Sequence, residues 1–452
     1  MFTALARDLT GALTLPGEPL YKELAGGFNV AIAARPAAIV EARDPQDVVA
    51  AVRFAAATGH PIAVQATGHG LADAMDGAIL VHTGRLDECV VHPDGWARVG
   101  AGVRWQQVLD AAAPHGLAPL CGSAPGVGVV GYTTGGGLGP VARTFGWASD
   151  RVRAIEIVTG DGAARRVTAD DEPDLFWGIR GGKGALGIVT ALEFDLVPLP
   201  AVHAGALYFD GTDAAAVLHG WRSWTRSLPR EATTSIALLQ LPPLPGVPAP
   251  LAGRFTVAVR FAWTGTTEDG ETVLAPIRAV ATPLIDTVRT IPYAAIGTVH
   301  ADPTDPMPVH ESTDLLSSLP AEAADALLAV AGPAAGSPQV IVELRHLGGA
   351  LADPPRHPSA LCHRDAAYSL ITVGVLAPPI AAAVPAHGEQ VRAALAPWAT
   401  GGALPNLGAA TGAERVARSY DALTLARLTE LAERYDPAHV LRAGQVPVRA
   451  AA

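Results

Sequence analysis

Apolar positions in the first two hundred residues switch between two spacings. In RDPQDVVAAVRFAAATGHP, Val48, Val52 and Ala55 recur on one helical face; Asp44 supplies a cap, Pro45 suits the first helical position and Gly59 ends the run. PIAVQA follows as a short buried strand. A second helix in RWQQVLDAAAPHG stripes Trp105, Val108, Leu109 and Ala112 together and stops at Gly116. ECVVHPDGWARVGAG and AIEIVTGDGAARRVTA instead read as strand pairs around the Asp94-Gly95 and Asp161-Gly162 turns. Helices mixed with hairpins predict an α+β layout and not a βαβ series.

Beyond EFDLVPLP the pattern changes. TTSIALLQL, RFTVAVRFAW, SPQVIVELRHL and AYSLITVGVL are long alternating segments, separated by helical stretches and the proline-rich PPLPGVPAP and ADPPRHP. They predict a second domain, an antiparallel sheet with helices on one face. The boundaries expected are 1–200 for the first domain, 201–405 for the second, and 406–452 for a C-terminal segment. Within that segment TLARLTELAERYDPAHVLRAGQ forms an amphipathic helix closed by Asp436-Pro437, able to pack on either domain.

Composition narrows the function classes. A chain of 452 residues with 49% hydrophobic and 17% charged residues is folded almost throughout and too long for one ordinary core. A net charge of −11 with no Lys/Arg cluster offers neither nucleic acid nor an anionic membrane an electrostatic footprint. Cys89, Cys121 and Cys362 are widely spaced and form no C-x-x-C pair, which suits a reducing compartment and gives no metal site. The N-terminal stretch lacks an apolar core of signal-peptide length, and no later run approaches 18 apolar residues. A soluble, cytoplasmic monomer or homodimer is the expectation.

Candidate chemistry concentrates in glycine. PIAVQATGHG ends a strand on His69 between Gly68 and Gly70; CGSAPGVGVVGYTTGGGLGP packs seven glycines between Gly126 and Gly139; DLFWGIRGGKGALGIVT adds a third cluster. Without a Cβ, glycine lets backbone N–H groups approach an anion. No Walker lysine follows, and no G-x-G-x-x-G opens a helix, so neither a P-loop nor a dinucleotide-binding Rossmann site fits.

These stretches, with LRHLGGA, CHRDAAYSL and RLTELAERYDPAHVLRAGQ, resemble the flavin-linked oxidases with a vanillyl-alcohol-oxidase-type (PCMH) FAD domain, in their berberine bridge enzyme-like branch. The resemblance implies a two-subdomain FAD-binding domain, the C-terminal segment returning to it, and a substrate-binding domain. It implies FAD contacts from Gln65, Ala66, Thr67, Gly68, His69 and Gly70, from Ala124, Pro125, Gly126, Val127 and Gly128, from Gly131, Tyr132, Gly135, Gly136, Gly137 and Leu138, and from Gly187, Ile188 and Val189. His69 matches the histidine that members bond through a ring nitrogen to the flavin 8α-methyl. A second attachment through cysteine is absent, because Ala124 stands at that position and Cys121 lies three residues earlier.

Other positions depart from the pattern. Gln65 replaces a usual arginine, Thr67 a glycine, Tyr132 a histidine near flavin N1 and the C2 carbonyl, and Leu138 an aromatic. Leu404-Pro405-Asn406 replaces a Y-x-N whose tyrosine is a base in several members. Val127 holds the position where a valine accompanies reaction with oxygen. The resemblance thus implies hydride transfer from a small organic, secondary-metabolite-like molecule to flavin N5, then electrons to O2, giving H2O2. A non-redox flavin catalyst, or a dehydrogenase using another acceptor, stays open.

A base is needed for the accompanying proton. Glu343 in VIVELRHL and Tyr368 are the candidates, with Tyr132 as a hydrogen-bond donor to the reduced flavin and His346 and His363 as weaker bases. Glu343 has an alternative as an ion-pair partner of Arg345 or Arg364, and Tyr368 as a core tyrosine. A substrate sheet rich in Val, Ile and Leu leans toward an apolar or aromatic substrate.

Overall fold

The computed structural model describes residues 2–70, 75–408 and 413–441. Helix Pro45–Thr58 forms where its local signals predict: the Asp44 carboxylate accepts from the Gln46 and Asp47 N–H groups, and Gly59 closes it at φ 73°. Its face of Val48, Val49, Ala51, Val52 and Ala55 packs on Ile62, Ile79 and Val81. The strands Ala38–Glu41, Ile79–His82 and Ile62–Gln65 beneath it are parallel, with Ala12–Thr14 antiparallel at the edge. One parallel crossover therefore sits inside the α+β layout, which the hairpin signals alone did not predict.

A second sheet is antiparallel throughout, in the order Cys89–His92, Trp96–Gly100, Gly187–Asp195, Val152–Thr159, Ala164–Thr168. Both predicted hairpins lie in it. Helix Trp105–Ala112 buries Trp105, Val108, Leu109 and Ala112 in the same core as Ile155, Leu192 and Phe194.

The third sheet runs Ile285–Asp286, Ala201–Asp210, Phe255–Trp263, Ala232–Gln240, Ile341–His346, Tyr368–Val375, Val309–Leu316, with Arg289–Pro292 also paired to Ala201–Asp210. Period-two alternation sorts its faces. Ile236, Leu238, Val259, Leu344 and Leu370 meet Trp221 of helix Ala214–Thr225, Leu274 of Thr267–Arg278, Leu327 of Ala321–Ala331 and Val391 of Ala383–Leu395. The opposite face carries Glu343, Arg345, Ile371 and Glu311, since Glu343 pairs in register with Ile371, Arg345 with Ser369 and Glu311 with Val373.

Helix Ala422–Tyr435 settles against the first domain. Leu428, Leu431 and Ala432 share a core with Leu175, Ile179 and Leu186, and the Asp161 N–H donates to the Tyr435 carbonyl. The last residues of the predicted C-terminal segment, 442–452, lie outside the described residues. Near the N-terminus, Asn29 makes two hydrogen bonds to the Val309 backbone: Nδ2 donates to its carbonyl at 2.8 Å and Oδ1 accepts from its N–H at 3.1 Å. No helix among the described residues is long and apolar enough to cross a membrane.

Candidate functional site

A cavity of about 420 Å3 runs between the glycine-rich loops and the exposed face of the third sheet. That lies within the roughly 300–1,000 Å3 of a ligand-binding cleft. Its first wall is the turn after strand Ile62–Gln65. Gly68 has φ 69°, and a Cβ there would lie 2.6 Å from the Gly27 Cα, so glycine is required by both conformation and space. Among the described residues, the N–H groups of Thr67, Gly68 and His69 donate to no acceptor. All three residues line the cavity, and a run of free N–H groups there suits an anion such as a diphosphate.

The His69 imidazole stacks on Phe28, centroids 4.6 Å apart at 16°, and its Nδ1 lies 3.2 Å from Thr67 Oγ1. Burial, helped by the Arg104 charge, lowers its pKa to about 4. It is therefore neutral at pH 7, with a ring lone pair available as a nucleophile. Gln65 turns back to the N-terminal segment, Nε2 donating to the Gly26 carbonyl at 2.7 Å, while its buried Oε1 has no partner.

The second wall is the stretch 122–138. Gly122, Ala124, Val127, Gly128, Gly131, Tyr132, Gly135, Gly137 and Leu138 line the cavity. Pro125, Gly126 and Gly136 do not. The Pro125 carbonyl accepts from the Gln106 N–H, the Gly126 carbonyl from Arg104 Nη1, and Gly136 packs between Leu361 and Trp147. The Tyr132 ring lies where Cβ atoms at Gly122 and Gly137 would come within 2.8 and 2.6 Å of it, and its hydroxyl is buried without a partner. Burial first, then Cys121, raises its pKa well above the ordinary value, and Arg345 opposes the shift. Gly135 faces Asn406, whose Nδ2 donates to the Tyr132 carbonyl at 2.6 Å. Cys121 is fully buried beside Tyr293, and burial pushes its thiol up to about 12, so it is no substitute for the missing flavin-linking cysteine.

Lys183, Gly184, Gly187, Ile188 and Val189 close a third side, and Leu404, Asn406 and Leu407 a fourth. Across from the loops stand Glu311, Arg345 and Ile371.

Two sequence candidates for the base do not reach this space. Tyr368 points to the helix-covered face, where its hydroxyl pairs with Thr225 Oγ1 at 2.9 Å and its ring meets Trp221. Glu343 is on the cavity-facing side of the sheet but sealed beneath its neighbours: Ser235 Oγ and Arg260 Nη1 donate to Oε1 at 2.7 and 2.8 Å, and Arg345 Nε to Oε2 at 2.9 Å. Burial opposes its charge, yet Arg345 and Arg260 hold its pKa well below the carboxylate range. It is a permanently charged ion-pair partner and a poor proton acceptor. Arg364 pairs instead with Asp150. His346 stacks on Tyr368, and His363 Nε2 pairs with the Arg418 carbonyl, so neither weaker candidate lines the cavity.

Three lining residues escaped the sequence reading. Glu311 is raised in pKa by burial, with Arg415 only partly opposing, and Lys183 is lowered to about 7 by burial and the Arg415 charge. Arg345 is the third. Glu311 carried a signal in VHESTDLL, an acid alternating with Val309, Thr313 and Leu315 on one strand face. Lys183 carried another, as the single charge of GGKGALG.

A cavity lined by glycine loops with unpaired amides and closed by a separate sheet is the shape of a site for an anionic, phosphate-bearing ligand. Residues 36–168 match the family of FAD binding domains. An FAD-dependent monooxygenase of Cochliobolus heterostrophus is 30% identical over 230 residues, 48% of this chain and 44% of that protein. The (R)-6-hydroxynicotine oxidase of Paenarthrobacter nicotinovorans is 32% identical over 206 residues, 43% and 45% of the two chains. The matched stretch thus spans under half the length of either relative. Likeness in fold extends over the whole chain. The 6-hydroxy-D-nicotine oxidase of Arthrobacter nicotinovorans superposes with a TM-score of 0.85 at 24% identity, covering 96% of this chain and 97% of that one. The berberine bridge enzyme-like protein 1 of Physcomitrella patens gives 0.86 at 19%, covering all of both. The chain carries an FAD-binding domain over residues 36–168, and its fold over the whole length is like those of these two proteins.

Proposed function

We propose that this chain is an FAD-linked oxidase of a small organic molecule, with His69 joined covalently to the flavin and O2 as the final electron acceptor. The observation that carries the reading is the Thr67–His69 turn, three unpaired N–H groups beside a neutral, stacked imidazole, inside the FAD-binding domain. When bound, FAD supplies a two-electron acceptor for a hydride and passes the electrons to oxygen.

The chain's own residues do the rest. The amides of Thr67, Gly68 and His69 bind the diphosphate, and Gly68 lets the backbone come close enough. Glu311 takes the proton from a substrate O–H or N–H, its burial making the carboxylate a stronger base than in water. Lys183, poised near 7, holds or releases a proton at Nζ near neutral pH while donating to the Pro405 carbonyl. Ile371, Leu404 and Leu407 exclude water from the reacting end. Val127 lies in the cavity wall, where a small side chain leaves oxygen room.

The test is direct. The purified protein is denatured in acid and centrifuged, and yellow in the pellet is expected for the wild type. His69→Ala moves the colour to the supernatant. A colourless protein after growth with ample riboflavin overturns the FAD reading, and a wild-type supernatant overturns the covalent one. Dithionite-reduced enzyme returned to air is expected to reoxidise with release of peroxide; a flavin that stays reduced for minutes removes oxygen as acceptor.

A further inference from the structure

The cavity wall Leu404–Leu407 gives its carbonyls to two cations. Arg415, on helix Ala413–Ser419, donates through Nη2 to the Leu404 and Leu407 carbonyls, and Lys183 Nζ donates to the Pro405 carbonyl between them at 3.2 Å. The other terminal nitrogen of Arg415 donates to Thr313 Oγ1 at 2.7 Å. Thr313 follows Glu311 by two residues on strand Val309–Leu316, so both side chains leave the same face. One guanidinium thus ties its helix, the wall and the strand of Glu311 together, a reach that a planar fork allows and a single ammonium does not.

That guanidinium is charged and not neutralised. Burial, then Arg418, lowers its pKa to about 10, so it keeps its proton at pH 7. Its bonds run to two carbonyls and a hydroxyl, and no carboxylate among the described residues forms an ion pair with it. The neighbouring carboxylate, Asp314, is taken by Arg418 at 2.8 Å and Arg392 at 3.4 Å, and Arg392 also holds Glu389. Arg345, the cavity-lining cation of the sheet, is committed to Glu343, and His310 leaves the opposite face of the strand. The field of Arg415 therefore falls on Glu311 and Lys183. Burial raises the first in pKa and lowers the second, and the Arg415 charge opposes the one shift and adds to the other. For both groups it favours the deprotonated form.

The choice of residue at 183 fits this. Of 32 lysines and arginines in the chain only two are lysines, the exposed Lys22 and Lys183. Arginine does not give up its proton in a protein, whereas a buried lysine can. The wall sets a cation able to lose its charge beside one that is not.

We propose that Arg415 is a positioning residue of the reacting end: it clamps the Leu404–Leu407 wall to the strand of Glu311 and holds a fixed positive charge beside Glu311 and Lys183, so that both face the cavity ready to accept a proton. This deepens the oxidase reading and rests on it for the role of Glu311.

The experiment follows the holoenzyme by NMR with lysine labelled at Cε with 13C, where two lysines give two resonances and Lys183→Met assigns them. Wild type, Arg415→Met and Arg415→Lys are titrated through the neutral and alkaline range, the last adding one resonance of its own. Loss of the charge in Arg415→Met is expected to raise the Lys183 midpoint by about one pH unit, and Arg415→Lys, which restores charge without the fork, recovers at least half of that. The acid limb of the kcat/KM profile moves to higher pH in the same order, because Glu311 loses the same field. A folded Arg415→Met with the Lys183 midpoint and the acid limb both in place overturns the proposal. So does a shift that Arg415→Lys leaves uncorrected, since loss of the clamp then accounts for it. Should Arg415→Met fail to fold, Arg415→Gln, which keeps an amide donor for the wall, carries the same comparison. A chain isolated without flavin fails the oxidase reading by itself, and the Lys183 titration still decides on Arg415.

Discussion

At the scale of single residues, the state of a side chain here is set by what seals it. Glu311 and Glu343 lie on the same face of one sheet, yet one is a half-buried acid facing the cavity and the other a permanently ionised partner of two arginines. Glu311→Gln is expected to lower turnover roughly 100-fold or more with flavin content intact, and steady-state kinetics of the holoenzyme checks it. Tyr368→Phe should leave turnover near wild type and cost about 1 kcal/mol from its lost hydrogen bond to Thr225, read by denaturant unfolding. His346 supplies a pH dependence. Burial, then Arg143, pulls its pKa down to about 3, so the folded protein refuses a proton that the unfolded chain accepts below about 6.5. Its stabilising contribution is whole at neutral pH and is lost as pH falls from 6.5 toward 3, roughly 1–2 kcal/mol by pH 5. His346→Phe, which keeps a ring on Tyr368, should show a smaller fall in thermal midpoint between pH 7.5 and 5.

Elements differ in how openly the sequence announces them. Helix Pro45–Thr58 was legible because its cap, its first-turn proline and its closing glycine are all local. The hairpins were legible from Asp-Gly turns for the same reason. The sheet faces of the second domain were not. Tyr368–Val375 is apolar on both sides, with Leu370 toward the helices and Ile371 toward the cavity, so alternation alone gave Tyr368 no side. Glu343 alternates with apolar neighbours in VIVELRHL, but its seal comes from Ser235 and Arg260, 108 and 83 residues away, pairings that only the folded sheet brings about. The glycine turns were readable as a class of site, whereas the obligation at Gly68 depends on Gly27 crossing it. Gly68→Ala is accordingly expected to cost about 1–3 kcal/mol in strain and to strip flavin, read as the ratio of flavin to protein absorbance after gel filtration.

For the molecule as a whole, three sheets and a returning helix surround the cavity: the loops of the first two offer amides and an imidazole, and the face of the third offers Glu311, Arg345 and Ile371. The returning helix is structural. Leu428 is fully buried, packed where a Cβ at Gly182 would come within 3.0 Å of it, and Leu428→Ala should cost about 2–5 kcal/mol, checked by thermal unfolding with FAD supplied. The two domains are also pinned at a point far from that helix. Phe28 lies on His69, and the next residue, Asn29, grips both backbone groups of Val309, two positions before Glu311. One dipeptide therefore touches the His69 imidazole on one side and the strand of Glu311 on the other. Prising His69 and Val309 apart along this edge would break either the Phe28 stack or the two buried Asn29 hydrogen bonds. The spacing between His69 and Glu311 is thereby fixed by a short strut, like the bar that holds two jaws of a calliper at one gauge.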